Sequence, residues 1–144
     1  MATQPEAVLE AKLIEQLISL EYERIAVVNE DELLANLKRQ LEKHNKTSFS
    51  DSEFKRITNH LNKGTVFEKA KILRDKFALK CDDGTTRYVE FLQIENWCQN
   101  LFQVTNQVTI EGTYKNRYDV TILINGFPLV HIELKKRGVE LKQA

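Results

Sequence analysis

Three residues near the end of the chain, Asp119, Glu133 and Lys135, are of types that can do chemistry together. Asp119 opens an apolar run in which Val120, Ile122 and Ile124 alternate with Thr121 and Leu123. Glu133 and Lys135 close a second run, in which Val130, Ile132 and Leu134 alternate with Leu129, His131 and Glu133. Asn125-Gly126-Phe127-Pro128 joins the two, and Asn-Gly between hydrophobic stretches is a strong hairpin signal. On a strand, residues two apart project to one face, so Glu133 and Lys135 set a carboxylate beside an ammonium. With Asp119 across from Glu133, two carboxylates converge where one divalent cation can be held. Phosphodiester hydrolysis suits that set. Mg²⁺ prefers a few carboxylate oxygens, with waters and phosphate oxygens completing an octahedron. The backbone carbonyl of Leu134 would add a third protein oxygen. A cation there would lower the pKa of a bound water and neutralise charge building on the phosphorane. Lys135 would orient the attacking water or stabilise the transition state, and Lys136 and Arg137 would reach the DNA backbone.

Register decides whether this set can form. A two-residue Asn125-Gly126 loop pairs Ile124 with Phe127, and carried down the ladder it sets Asp119 opposite Ile132. The two acids would then face opposite sides of the sheet. A three-residue loop with a bulge pairs Ile124 with Pro128 and brings Asp119 opposite Glu133. Pro128 has no N–H to give to a ladder, which favours an irregular end to the hairpin. The expectation is therefore an odd-length loop or a bulge. Glu-x-Lys on its own is background, since it recurs at Glu10/Lys12, Glu53/Lys55 and Glu140/Lys142. The plain alternative is a strand pair with a wet polar face and a weak Glu133–Lys135 ion pair. His131 shares that face and is read as packing or hydrogen bonding there, not as a base.

The rest of the chain must position this hairpin. Its 144 residues suit a single domain, 1–144. Lys+Arg and Asp+Glu are equal at 21 each, so any nucleic-acid binding has to come from a local patch. Cys81 and Cys98, without CxxC spacing or neighbouring histidines, argue against a zinc site or a disulfide framework and fit a reducing, cytoplasmic setting. No apolar run approaches a membrane span, no signal-peptide pattern opens the chain, and no Gly-x-x-x-x-Gly-Lys-Ser/Thr loop offers a triphosphate site. Residues 5–20 read as an amphipathic helix striped by Leu9, Leu13, Leu17 and Leu20, with Glu10 beside the stripe. Arg24–Val28 reads as a short strand. Asn29 with Glu32, and Ser50 with Glu53, open two helices, and Val66–Leu73 leans helical. From Asp75 the period becomes two, with strands flanking Asp82-Asp83-Gly84 and a long strand over Phe102–Ile110. Helices followed by a hairpin-rich sheet make the class α/β, of α+β character.

The stretch from Asn116-Arg117-Tyr118-Asp119, through the Asn125-Gly126-Phe127-Pro128-Leu129 turn, to Ile132-Glu133-Leu134-Lys135-Lys136-Arg137-Gly138 closely resembles the nuclease motif of type I restriction enzyme restriction (R) subunits. Asn106-Gln107 and the Pro5-Glu6-Ala7 to Leu17 segment are similar more loosely. The resemblance implies an N-terminal endonuclease domain of the PD-(D/E)xK type, with helices flanking a mixed, largely antiparallel sheet. It implies Asp119 and Glu133 as the acids, Lys135 as the catalytic lysine, and Glu10 as the helix glutamate such nucleases often bring to the metal. Mg²⁺ is the implied cofactor and double-stranded DNA the implied substrate. The family's R subunit works with modification and specificity subunits and uses ATP to translocate DNA. Those motor domains are not encoded here, and the end at Ala144 leads us to expect a C-terminally shortened nuclease domain. The rival is a catalytically silent nuclease-fold module that docks DNA or partner subunits.

Overall fold

The computed structural model describes residues 3–110 and 116–134, with side chains described within 7–106 and 119–134. Lys135, Lys136 and Arg137 therefore lie outside the described residues.

Helix α1 (Thr3–Ser19) covers one face of the sheet. Ile14 and Leu17 are buried against Val104 and Val120, with Leu13, Tyr22, Ile122, Ile132 and Leu134 packed around them. Val104 and Val120 are fully enclosed, each contributing about 1.5–3 kcal/mol from leaving water. The expected leucine stripe is displaced, because Leu9 and Leu20 are exposed. The buried line runs through Ile14 and Leu17, and the chain turns away after Leu20 through Glu21, whose φ is +73°.

Strand β1 is only Glu23–Arg24, shorter than the expected Arg24–Val28. Its pairing with the long strand β4 (Phe102–Ile110) is parallel, which makes the sheet mixed. The strand stops where helix α2 (Glu30–Asn45) begins to claim its neighbours. Glu32 accepts a hydrogen bond from the Val28 N–H at 2.9 Å, and the Asn29 side chain caps the Glu32 N–H at 2.9 Å. Helix α3 (Asp51–Leu61) opens on the expected Ser50/Glu53 capping box. Helix α4 (Val66–Arg74) opens on a second box, Thr65/Glu68, which settles the ambiguous Val66–Leu73 stretch.

Strands β2 (Phe77–Lys80) and β3 (Thr86–Val89) form a separate two-stranded antiparallel sheet about the expected Asp82-Asp83-Gly84 turn, where one mixed, largely antiparallel sheet was expected. Side chains end the β3 ladder. Asn45 takes both the N–H and the carbonyl of Glu90, at 2.8 and 3.0 Å, and Asn125 takes the carbonyl of Phe91 at 2.8 Å. With its backbone groups satisfied by amides, the chain leaves the strand. A short 3₁₀ turn at Trp97–Gln99 leads into β4. The main sheet runs β1-β4-β5-β6, with β5 Asn116–Ile124 and β6 Phe127–Ile132. The larger core gathers Leu41, Ile57, Leu79 and Val89 from α2, α3 and the small sheet, with Phe91 from the segment after β3, around Phe127. The turn of the β5–β6 hairpin is thus buried in one core, and its opposite end carries Asp119.

Candidate functional site

The turn is set by two residues that do different work. Asn125 and Gly126 both have positive φ, +52° and +88°, the pattern of a two-residue hairpin turn. Asn125 is fully buried. Its N–H donates to the Leu101 carbonyl and its Oδ1 accepts from the Leu101 N–H, both at 2.8 Å. Its Nδ2 donates to the Phe91 carbonyl and to Asn100 Oδ1, also at 2.8 Å. Gly126 lies so close to α2 that a Cβ there would sit 2.7 Å from the Leu37 Cα. The sequence marked these two residues as a turn. It carried no sign that the turn would be clamped inside the core.

The register follows from this anchor and from one irregularity. Ile124 pairs with Phe127 and Leu123 with Pro128, as a two-residue loop dictates, so the expected three-residue loop with Ile124 opposite Pro128 does not form. The ladder then shifts between Leu123 and Ile122, so that Ile122 pairs with Val130, Thr121 with His131 and Val120 with Ile132. Leu129 is the extra residue. Of the two expected devices, the loop is even and the bulge is present. It falls next to Pro128, which cannot donate to the ladder. Carried one rung further, the shifted register sets Asp119 opposite Glu133. Val120 and Leu134 pack toward α1, so by alternation Asp119 and Glu133 face the other side together.

Asp119 is half-buried and Glu133 exposed. Past the end of β6, the Leu134 N–H is held by a side chain: it donates to Asp119 Oδ2 at 2.8 Å. This bond draws the Glu133–Leu134 peptide against Asp119 and fixes the orientation of that carboxylate. One carboxylate from each strand, beside the Leu134 backbone, is a hard-oxygen donor set of the kind Mg²⁺ takes. Glu10 reaches the sheet from α1, where its Oε1 accepts a hydrogen bond from Asn106 Nδ2 at 2.8 Å. Asn106 is the cross-strand partner of Val120, so Glu10 stands next to the Asp119 rung but on the α1 face. Among the described residues, no three His, Cys, Asp or Glu side chains gather closely enough to hold a metal. Glu10 is thus not joined with Asp119 and Glu133 into one three-carboxylate cluster.

A row of polar side chains lies two residues along from the acids on their face. Thr105, Thr121 and His131 are direct cross-strand partners on β4, β5 and β6. Thr121 Oγ1 is 3.3 Å from His131 Nδ1. Burial lowers the His131 pKa below the ordinary histidine value, which favours the neutral ring. The sequence placed His131 on this face but did not reveal its hydroxyl partner.

Residues 3–144 match the family model described as type I restriction enzyme R protein N terminus. The chain is similar to the type I restriction enzyme SsaAORF53P endonuclease subunit of Staphylococcus saprophyticus, at 48% identity across 100% of this chain and 16% of that protein. It is 46% identical to the SauCOLORF180P endonuclease subunit of Staphylococcus aureus strain COL, again across 100% of this chain and 16% of the relative. The type I restriction enzyme EcoprrI endonuclease subunit of Escherichia coli is 40% identical, across 98% of this chain and 47% of that protein. The chain therefore spans a small part of the length of its staphylococcal relatives, and it belongs to the family of type I restriction enzyme R protein N termini.

Proposed function

We propose that this chain is a Mg²⁺-dependent DNA endonuclease domain of the PD-(D/E)xK kind, the nuclease part of a type I restriction R subunit. The observation that supports this reading is the register shift at Leu129, which, carried one rung further, puts Asp119 and Glu133 on the same face of the hairpin. In this reading Asp119 and Glu133, with the Leu134 carbonyl, would hold the cation, and Glu10, bonded to Asn106 on the α1 face, would be an accessory carboxylate outside that set. A bound Mg²⁺ would supply an activated water and charge neutralisation at the phosphoryl group. Asp119 does its part already oriented by the Leu134 N–H, so little side-chain freedom is lost on binding. Lys135, two residues beyond Glu133 in the sequence, would serve as the lysine that orients the attacking water or stabilises the developing charge. Lys136 and Arg137 would supply the positive charge for the phosphate backbone of double-stranded DNA. In the full enzyme, ATP-driven translocation and the modification and specificity subunits would bring DNA to this site.

A second reading, a catalytically silent module that docks DNA or partner subunits, draws on the same Asp119–Leu134 bond, since a purely structural aspartate would also make it. Nicking and linearisation of supercoiled plasmid by the 144-residue chain with Mg²⁺ separates the two. Cleavage is expected, falling by at least about 100-fold in Asp119→Asn and in Lys135→Ala, as for loss of a single oriented catalytic group. Equal cleavage by wild type and both variants would refute the nuclease reading.

A further inference from the structure

Charge is balanced in the composition but not along the chain. Residues 54–80 hold eight Lys or Arg and two Asp or Glu, a surplus of six positive charges in a chain of zero net charge. They make up most of α3, all of α4 and β2. A face that is merely solvated mixes the two signs. Here the acids offset little, because Glu68 is turned back on the Thr65 N–H in the α4 cap, which leaves Asp75. Among the described residues, Arg56 is the one cation of these eight in an ion pair, with Asp82 at 2.9 Å. Helix and strand periods then line the cations up with two aromatic rings. On α4, Ile72 and Leu73 pack toward the larger core. Phe67, Lys71 and Arg74, at i, i+4 and i+7, share the opposite face, and Phe67 is 87% exposed. On the small sheet Phe77, Leu79 and Val89 turn inward, so Ala78, Lys80 and Tyr88 form the outer face and Lys76 continues their row. Tyr88 is 68% exposed and has only the Ala78 methyl as its cross-strand partner, which leaves the ring uncovered. Neither ring packs on another ring among the described residues. Arg74 and Lys76 line one cleft, joining the helix face to the sheet face. Glu90 and Glu95 also line it, but Glu90 is engaged by His44 Nε2 at 3.3 Å. The strip runs Phe67, Lys71, Arg74, Lys76, Tyr88, Lys80, with rings and cations interleaved. At standard rises it covers about 10 Å along the helix and about 13 Å along the strand.

We infer that this strip is a binding surface for a single strand of nucleic acid, with Lys71, Arg74, Lys76 and Lys80 on the phosphates and Phe67 and Tyr88 stacked on bases. Cations alone would serve the phosphates of any nucleic acid. The exposed rings select the single strand, because duplex bases already stack on one another and only unstacked bases offer a free face. The surface lies apart from the acid pair. The small sheet and α3 close around the buried turn of the β5–β6 hairpin, and Asp119 lies at the hairpin's other end. It needs no metal and does not rest on the proposed nuclease reading.

The test is fluorescence anisotropy of a fluorescein-labelled oligo(dT) of about 15 nucleotides, within the site sizes of such surfaces, titrated with the 144-residue chain in EDTA. Saturable binding is expected, tighter than to a duplex of the same length. Phe67→Ala and Tyr88→Ala are each expected to weaken it at least about fivefold, as for loss of one stacking ring, and Tyr88→Phe to keep most of the affinity. A combined Lys71→Gln, Arg74→Gln and Lys76→Gln variant is expected to flatten the slope of log affinity against log salt by about 2, at about 0.7 per phosphate contact on a single strand. Lys12→Gln, which removes an exposed cation from α1, is expected to leave that slope unchanged. All the substituted side chains are exposed, and circular dichroism checks that each variant stays folded. An oligo(U) of equal length identifies the sugar: tighter binding of either strand supports the surface. No binding of either strand, an affinity for duplex equal to that for the single strand, or ring variants that bind like wild type would overturn it. A wild-type chain that binds the strand in EDTA yet leaves plasmid uncut with Mg²⁺ would sink the nuclease reading alone, so the two failures are distinguishable.

Discussion

Replacing Asn125 with alanine should cost far more than its position in a turn suggests. Its side chain is fully buried and serves the Leu101 N–H, the Phe91 carbonyl and Asn100 Oδ1. Asn100 Oδ1 also accepts from the Gln93 N–H, so it keeps a partner when Asn125 is removed. The Leu101 N–H and the Phe91 carbonyl are left buried and unpaired, at about 1–3 kcal/mol each. Alanine in the left-handed conformation at φ +52° adds about 1–2 kcal/mol. The lower ends of these ranges sum to about 3 kcal/mol, a large fraction of the ordinary stability of a domain this size. The assay is urea unfolding followed by circular dichroism, comparing Asn125→Ala with wild type at matched m-values. A loss of at least about 3 kcal/mol is expected. Asn125→Asp sharpens the test, because it keeps the acceptor for Leu101 but faces the Phe91 carbonyl with an oxygen. The new carboxyl can satisfy that carbonyl only when protonated. Burial raises its folded pKa above the unfolded value, so the variant should be most stable at acid pH and lose stability as pH rises through the folded pKa. A loss under about 1 kcal/mol in Asn125→Ala, or an Asn125→Asp variant indifferent to pH, would refute the reasoning that the turn is clamped by this side chain.

Other outcomes follow from the same geometry. Gly126→Ala should destabilise by about 2–5 kcal/mol in the same urea assay, combining the left-handed backbone with a Cβ 2.7 Å from the Leu37 Cα; a near-neutral variant would contradict the close approach to α2. The His60 ring stacks on Phe77 with centroids 4.0 Å apart, and its pKa is lowered from 6.5 by burial first and by the Lys63 charge second. The unfolded chain therefore binds a proton more readily than the native one as pH falls through 6.5. Urea midpoints should drop from that pH downward until the native ring also protonates, and His60→Gln should flatten that part of the profile. Glu10→Gln should leave the fold intact and, if Glu10 is only accessory, lower plasmid cleavage by less than Asp119→Asn does.

How far the sequence could be read depended on whether a signal was local. The capping box at Ser50/Glu53 is contained in four residues and was read from them; the equally local Thr65/Glu68 box that starts α4 was missed. The hairpin and its bulge were legible because Asn125-Gly126 fixes a tight turn and Pro128 cannot pair normally, a conflict within five residues of chain. The split into two sheets was not legible. It depends on Asn45 and Asn125 reaching across the fold to take backbone groups of Glu90 and Phe91, and nothing in the local pattern of residues 86–92 signals those partners. The same holds for Glu10. Its helix and its period were readable, but its place over Asn106 on the α1 face depends on how α1 crosses the sheet. The acids were singled out by residue type and spacing together with the family resemblance. Whether they share a face depends on the parity of the bulge, which alternation alone leaves open.

The most direct measurement of the central claim is a calorimetric titration of Mn²⁺ or Mg²⁺ into the 144-residue chain, wild type, Asp119→Asn and Glu133→Gln, with circular dichroism confirming that all three remain folded. One binding event is expected in the wild type, abolished or weakened by at least about tenfold in each variant, since both carboxylates would ligate the same cation. Binding that survives in either variant, or a wild type that takes up no cation while folded, would contradict the convergence of Asp119 and Glu133 on a single metal.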